Sequence, residues 1–318
     1  MYDVTALGEM LIDFAPVSTD ADGYPTLAAK PGGGPANFLA ALAEYGAKTA
    51  LLCKVGSDAF GHLLINTLKN AGIGTAGVVV DPSVFTTLAF VTLDATGNRS
   101  FSFARKPGAD TCLRFEELDL LLIDEAKVFH FGTLSLTNEP ARETTQRAVK
   151  YAKTRGKLIT FDPNLRASLW DSLEEAKTQI IWGLRQADIV KISDEEVEFL
   201  WGCSEQEGAR RLLDEHGVKL AMVTLGPKGA YLCNKSASAF SPCPAVKPID
   251  TTGAGDIFGG SAVSCILKRA KPPEELSAEE LTEIAAFATT AASLSTQKSG
   301  GIPSVPSGEE VHAAMELA

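Results

Sequence analysis

The stretch DTTGAGD, Asp250 to Asp256, is followed at once by IFGGSAVSCILKR, Ile257 to Arg269. The second segment reads as a buried helix. Gly253, Ala254 and Gly255 therefore stand where the free N–H groups of a helix start gather. A glycine turn there aims several backbone N–H groups at one point and forms an anion nest, aided by the partial positive charge of the helix end. Asp256 then faces whatever the nest holds. Two readings of Asp256 stand side by side. It is a helix cap behind a glycine turn, or it is a carboxylate that takes a proton from an attacking hydroxyl beside a bound phosphate.

Upstream of this stretch, short apolar runs alternate with helical segments. Strands are predicted at 2–8, 49–56, 126–132, 157–162, 187–193 and 220–226, and helices at 35–47, 58–72, 139–156 and 195–202. Such alternation predicts an α/β fold with a central, mainly parallel sheet and helices on both faces. Nearly continuous apolar strands suit burial on both sides. Two stretches break the pattern. Residues 11–30 are strand-like with a turn-rich middle, and 85–106 read as a hairpin turning at Asp94–Asn98. Neither fits a βαβ unit, so together they predict a small β-sheet lid inserted into the main domain. The polar stretch 271–280 reads as a connection between two late helices.

The chain has 318 residues, 45% of them apolar, which suits one large domain or two smaller ones. Its net charge of −11 argues against a nucleic-acid partner. It does not argue against a nucleotide, because a local anion site can sit on an acidic protein. The N-terminus carries no basic leader, and no apolar run is long enough to span a membrane. Six scattered cysteines without a C-x-x-C pair fit a reduced, cytoplasmic protein. The four histidines are scattered too, which argues against a zinc site.

Familiar nucleotide and hydrolase motifs are missing: there is no G-x-x-x-x-G-K-[ST], no G-x-G-x-x-G after the first strand, and no G-x-S-x-G. Three further features suit a ligand; a flexible glycine turn and a strand-end acid in solvent are the plain alternatives for the first two. PGGGPAN, Pro31 to Asn37, places three glycines before a helix, so backbone can approach a ligand closely at Gly33 and Asn37 can reach it. Asp13, in GEMLIDF, is an acid in an apolar stretch assigned to the end of the first strand, where ligands bind in open α/β sheets. ISDEE, 192–196, and TLGPKG, 224–229, follow successive strands and suit a water-held Mg²⁺ and a nucleotide edge, or else a solvated helix start and a hairpin turn.

In this order and spacing, DTTGAGD and GGGPAN with Gly46 and Gly56 resemble the two signatures of the PfkB, or ribokinase-like, carbohydrate kinases. FGTLSLT (131–137), FDPNLR (161–166), KISDEE (191–196) and RKPGAD (105–110) are most similar to fructokinases. Leu39 and Ser261 stand where that pattern usually has small residues, and Ser193 stands where it usually has Asn.

The resemblance implies a single Rossmann-like α/β/α domain over 1–318, with a lid from about 11–31 and 85–107 that can pair across a two-fold axis. It implies ATP-dependent phosphorylation of D-fructose to fructose 6-phosphate. The alternatives are a 2-dehydro-3-deoxygluconate kinase and a non-catalytic sugar-binding regulator. By the same likeness, Asp13, Gly33, Asn37, Phe103, Arg105 and Arg166 contact the sugar, and Lys191, Thr224, Gly226 and Gly229 lie along the nucleotide. Asp256 is the base, and Gly253, Ala254 and Gly255 form the anion hole. Glu196 holds Mg²⁺ through water, and Asp250 and Thr252 help bind an activating K⁺.

Overall fold

The computed structural model describes residues 1–93 and 99–317, so the hairpin turn expected at Asp94–Asn98 lies outside the described residues. In chain order the strands are β1 (Val4–Leu7), β2 (Leu11–Thr19), β3 (Pro25–Gly32), β4 (Thr49–Gly56), β5 (Ile73–Gly74), β6 (Val78–Asp81) and β7 (Leu88–Leu93). They continue with β8 (Arg99–Ala104), β9 (Val128–Gly132), β10 (Leu158–Asp162), β11 (Ile189–Ser193), β12 (Leu220–Thr224), β13 (Ala230–Cys233) and β14 (Ser238–Ser241). The helices are α1 (Gly34–Glu44), α2 (Ala59–Asn70), α3 (Leu121–Asp124), α4 (Ala141–Thr154) and α5 (Leu173–Leu184). After them come α6 (Asp194–Trp201), α7 (Glu205–Glu215), α8 (Ala254–Arg269), α9 (Ala278–Ser295) and α10 (Gly308–Glu316).

The main sheet runs β14-β13-β12-β11-β10-β9-β1-β4-β5, with β6 alongside β4. It is parallel from β12 through β5, and only the pairings β12–β13 and β13–β14 at one edge are antiparallel. Every residue of β4 is buried, including Lys54, as suits a mainly apolar strand covered on both faces. One face packs Phe129, Phe131 and Phe161 against α4, α5, α6 and α7. The other packs Ala6, Leu51 and Val128 against α1, α2 and α8, while α9 covers the β12–β14 end. The architecture is thus the α/β/α sandwich expected. His130 belongs to this interior: its ring stacks on Phe38, and burial pulls its pKa down to about 3, so it is a neutral core residue.

The second sheet, β3-β2-β7-β8, is built from the two stretches that break the βα alternation. β2 pairs antiparallel with β3 and parallel with β7, and β7 pairs antiparallel with β8. One sequence expectation changes here. β1 ends at Leu7, and Asp13 is the third residue of β2 in the second sheet. The acid that follows β1 is Glu9.

Strand order places the site. From the central β1 the chain goes out to β4, β5 and β6, then returns to β9 on β1's other side. The connections after β1 and β9 leave in different directions, and a crevice opens between them, where open α/β sheets bind ligands. The segments after β1, β9, β10 and β11 all end at this crevice. No helix among the described residues is long and apolar enough to cross a membrane.

Candidate active site

Helix α8 starts at the crevice. Its N-cap is Gly253, whose φ of 77° is left-handed backbone that favours glycine. Asp256 is therefore not the cap but the third residue of the helix, and it is 9% exposed. Its carboxylate accepts one hydrogen bond from Asn37 Nδ2 at 2.9 Å and one from Asn164 Nδ2 at 3.0 Å. Asn37 comes from α1 and Asn164 from the turn after β10, so three separate segments orient one carboxylate. Burial raises the pKa of Asp256. The Asn37 hydrogen bond and the nearby Lys191 and Arg166 charges pull the other way without cancelling it.

Beside Asp256 lies a compact charged group. Lys191, in the middle of β11, sits with Nζ 3.1 Å from an oxygen of Asp162, and both side chains are about nine-tenths buried. Burial acts to lower the lysine pKa, but Asp162, Glu196 and Asp256 together outweigh it, and the ammonium stays charged. Burial raises the Asp162 carboxyl, and Lys191 offsets only part of that rise. Glu196 is held from two sides: it accepts from Leu165 N at 2.7 Å and from Ser193 N at 2.9 Å, the second as part of the capping box that starts α6. Gly255 borders this group so closely that a methyl there would stand 2.8 Å from Lys191 Nζ.

Two cavities meet at the start of α8. The first, of about 490 Å³, is lined by Asp13, Gly33, Asn37, Phe103, Arg166 and Asp256, among others. The second, of about 590 Å³, is lined by Thr224, Gly226, Gly229, Ala254 and Phe258, with Cys243 at its wall. Gly255 and Thr251 line both. The first is polar and acidic. Burial raises the Asp13 carboxyl to about 6, with Arg166 opposing and Asp250 and Asp256 adding to the rise. The second is walled by proline, alanine and phenylalanine and suits a flat, apolar group.

The residues expected at the site are thus gathered, with two departures. Lys191 lines the first cavity, apart from Thr224, Gly226 and Gly229, which line the second. Arg105 does not line the first cavity at all. It is 5% exposed and its guanidinium is committed: Nε donates to Asp110 at 2.8 Å, one terminal nitrogen to Thr137 at 2.7 Å and the other to Leu134 O at 2.8 Å. It ties the end of the second sheet to the segment after β9. Arg166 does line the cavity, and it also donates to Asn164 Oδ1 at 2.8 Å, so it steadies the amide that holds Asp256. Asp250 accepts from Thr252 N at 3.0 Å and Oγ1 at 2.7 Å, and from Ser299 Oγ and Gly300 N at 3.1 and 3.0 Å, binding two chain segments together below the turn.

Three residues were not singled out from sequence: Glu9, Asp162 and Asn164. Glu9 lines the first cavity, accepts from Gly34 N at 2.8 Å, and has its pKa raised to about 7 by burial. Like Asp13, Glu9 is an acid among apolar residues beside a strand. Asp162 and Asn164 sit in FDPNLR, where an acid and an amide bracket a proline right after an apolar strand. The two positions that depart from the signatures are filled without strain. Leu39 is fully buried, and Ser261 Oγ donates to Ile257 O at 2.7 Å within α8.

The chain is similar to known proteins. The family model described as pfkB family carbohydrate kinase matches residues 1–308. Fructokinase-1 of Zea mays is 42% identical over 99% of this chain and 98% of its own. A fructokinase from Xylella fastidiosa, solved with bound ATP, superposes with a TM-score of 0.91 at 28% identity, covering 100% of this chain and 99% of that one. A double-mutant fructokinase from Vibrio cholerae O395, solved with fructose, ADP and a potassium ion, superposes with a TM-score of 0.88 at 30% identity, covering 99% and 98%.

Proposed function

The chain belongs to the pfkB family of carbohydrate kinases, and on that premise we propose that it transfers the γ-phosphoryl group of ATP to D-fructose, giving fructose 6-phosphate and ADP. One observation carries the reading: two cavities, one acidic and one apolar, share Gly255 and Thr251 at the helix start where Asp256 sits. The apolar cavity takes the adenine nucleotide along Thr224, Gly226 and Gly229. The acidic one takes the sugar, with Asp13, Asn37 and Gly33 binding hydroxyls and Phe103 approaching from the second sheet. An uncharged polyol suits this lining better than an acid sugar does, because Glu9, Asp13, Glu195 and Asp256 outnumber the cations Lys191 and Arg166 there.

In the transfer, the sugar oxygen forms a bond to the γ-phosphorus, and the bond from that phosphorus to the β-phosphate oxygen breaks. The hydroxyl proton passes to Asp256, and ADP leaves with the electron pair. The first N–H groups of a helix have no partner inside it, so those at Gly253 and Gly255 are positioned to meet charge on the phosphoryl oxygens, while that of Ala254 also donates to Thr251 O at 3.3 Å. The orienting amides of Asn37 and Asn164 keep the base directed while the second sheet limits water.

Mg²⁺ fits this site through water and nucleotide oxygens. Among the described residues no group of three His, Cys, Asp or Glu side chains could ligate a metal directly, while Glu196 and Asp162 supply an acidic wall. Bound there, it would neutralise phosphate charge. Asp250 and Thr252 brace the loop in which a monovalent cation would order the turn, and the fructokinase from Vibrio cholerae was solved with potassium.

The test is ADP release with ATP and Mg²⁺, comparing fructose with 2-dehydro-3-deoxygluconate, in potassium and in a bulky organic cation. Fructose should give the higher kcat/KM by at least about tenfold, the scale of one or two charge-assisted hydrogen bonds, and potassium should raise the rate. A preference for the acid sugar would replace fructose as substrate. Equal rates in the two cations would remove the cation site.

A further inference from the structure

Asp256 borders two spaces. One is the first cavity, where the sugar is placed. The other is a much smaller cavity of about 10 Å³, the room of a single water. Glu9, Thr133, His130, Asp162, Asn164 and Asp256 are among its lining residues, more than the few polar partners a water needs. Gly34 keeps this space open. A methyl there would stand 2.5 Å from Asn164 Nδ2, 3.2 Å from Asp256 Oδ1 and 3.6 Å from Glu9 Oε1. Two carboxylates thus face one spot from separate segments, the turn after β1 and the start of α8. Asp162, the third carboxylate on this small cavity, is committed to Lys191 at 3.1 Å. Glu9 is 3% exposed and accepts from Gly34 N at 2.8 Å, which satisfies a free N–H at the start of α1. That bond needs only an oxygen. An amide would make it without the cost of burying a group that ionises.

We propose that Glu9 receives, through one water, the proton that Asp256 takes from the sugar, and so returns the base to its ionised form. This rests on the kinase reading given above. Asp256 is 9% exposed, its two oxygens accept from amides, and substrates filling both cavities enclose it further. The sugar O–H bond breaks and its proton passes to Asp256. Asp256 then gives a proton to the water, and the water gives one of its own to Glu9. The water is unchanged and no electrons are exchanged. Glu9 loses the proton to solvent through the first cavity, which it also lines, as product leaves. Glu9 acts through Asp256 and does not touch the reacting atoms. Its surroundings suit an acceptor that works near neutral pH. Burial raises its pKa to about 7 against the Gly34 N–H bond, with Asp110 adding and Arg105 opposing. His130 is neutral, and burial pushes the Cys53 thiol up, so neither competes for charge. Around the two cavities Asp13, Asp162 and Glu195 add negative charge, while Lys191 and Arg166 oppose it.

The experiment uses the full-length protein and Glu9→Gln, which keeps the size and an oxygen for Gly34 N and removes the proton acceptor. Wild-type turnover with fructose, measured first, bears on the sugar alone. The ratio of variant to wild type, taken with whichever acceptor the wild type phosphorylates, bears on Glu9. The expected result is a kcat lower by about 10², the low end of what a positioned proton transfer contributes, with little change in the KM for the sugar. The acid limb of kcat, set in the wild type by Glu9 at about pH 7, should move to lower pH, because Asp256 is left to titrate without a like-charged neighbour. The solvent deuterium isotope effect on kcat should grow, since loss of the proton from Asp256 becomes limiting. Melting provides the control. A carboxyl raised from 4.5 to about 7 on folding weakens the fold as pH rises through that range. Above it, the variant should melt no lower than the wild type. A raised KM with kcat and acid limb unmoved would make Glu9 a sugar contact. A lower melting temperature with the limb unmoved would make it only a support for Gly34. A kcat kept at the wild-type level would mean that Asp256 discharges its proton without Glu9. Each of these three results would overturn the proposal.

Discussion

Asp256→Asn is expected to lower kcat by about 10²–10⁴, the range lost with a general base. The folded structure should accept the change. Asp256 receives two amide N–H groups, from Asn37 and Asn164, and an Asn in its place can accept only one of them through its single oxygen. Asn37 can compensate by turning its amide, because its own Oδ1 is buried without a partner. Binding of ATP and sugar by calorimetry should therefore survive while turnover collapses. The pH dependence carries the same argument with a definite sign. Burial raises the Asp256 pKa in the folded protein, and only the ionised carboxylate accepts a proton. Activity should thus be present at higher pH and fall as pH drops through that raised pKa, earlier than for an exposed carboxylate. The residual rate of the Asn variant should lack this acid limb. A variant that retained more than about a tenth of wild-type kcat, with the limb intact, would place the base elsewhere.

The second large effect is on stability. Arg105 and Asp110 form a nearly dry ion pair at 2.6 Å, with side chains 3% and 2% exposed, and Arg105 also bonds Thr137 and the Leu134 carbonyl. Arg105→Ala leaves Asp110 buried with Thr87 as its remaining side-chain partner. Removing one partner of such a pair costs about 3–5 kcal/mol, so the midpoint of thermal unfolding should fall by several degrees. Arg105→Met with Asp110→Leu removes both charges and should recover much of that loss. A sugar-contact role for Arg105 gives a different pattern: a KM for the sugar raised roughly tenfold, an unchanged melting temperature, and no recovery in the double variant. Denaturation curves alongside sugar kinetics separate the two.

These two residues also show what the sequence makes legible. Asp256 stands out because its neighbours are local: a glycine turn and a helix start are adjacent in sequence, and their backbone geometry follows from residue type. Much of the fold is legible for the same reason. The wholly buried β4 reads as a mainly apolar run, and the starts of α2 and α6 are written in Asp58, which caps Phe60 and Gly61, and in the Ser193–Glu196 capping box. The second sheet shows itself as the two stretches that fail to alternate. The four-residue strands β13 and β14 are too short to show a period, and the helices α5, α7 and α10 are not resolved by that reading either.

At the site, what escapes the sequence is pairing across long separations. Asn164 lies 92 residues from the Asp256 it orients, and nothing local marks an Asn after a proline as the support of a carboxylate. Arg105 is a case of the same limit. An arginine at the end of a hairpin suits an oxygen-rich ligand, but Asp110, Thr137 and Leu134 are oxygen-rich too, and the fold brings them closer. Lys191 reads as one more strand residue until Gly255 is seen against its ammonium.

The central claim is that sugar and nucleotide occupy separate cavities that meet at Gly253–Asp256. It is tested most directly by a crystal structure of the full-length protein with fructose and a non-hydrolysable ATP analogue. The expected result places fructose against Asp13 and Asn37, with one hydroxyl within hydrogen-bond reach of an Asp256 oxygen. The nucleotide base should lie beside Thr224, Gly229 and Phe258, and the terminal phosphate against the N–H groups of Gly253 to Gly255. A terminal phosphate bound away from that turn, or a fructose whose hydroxyls all lie beyond the reach of Asp256, would contradict the account.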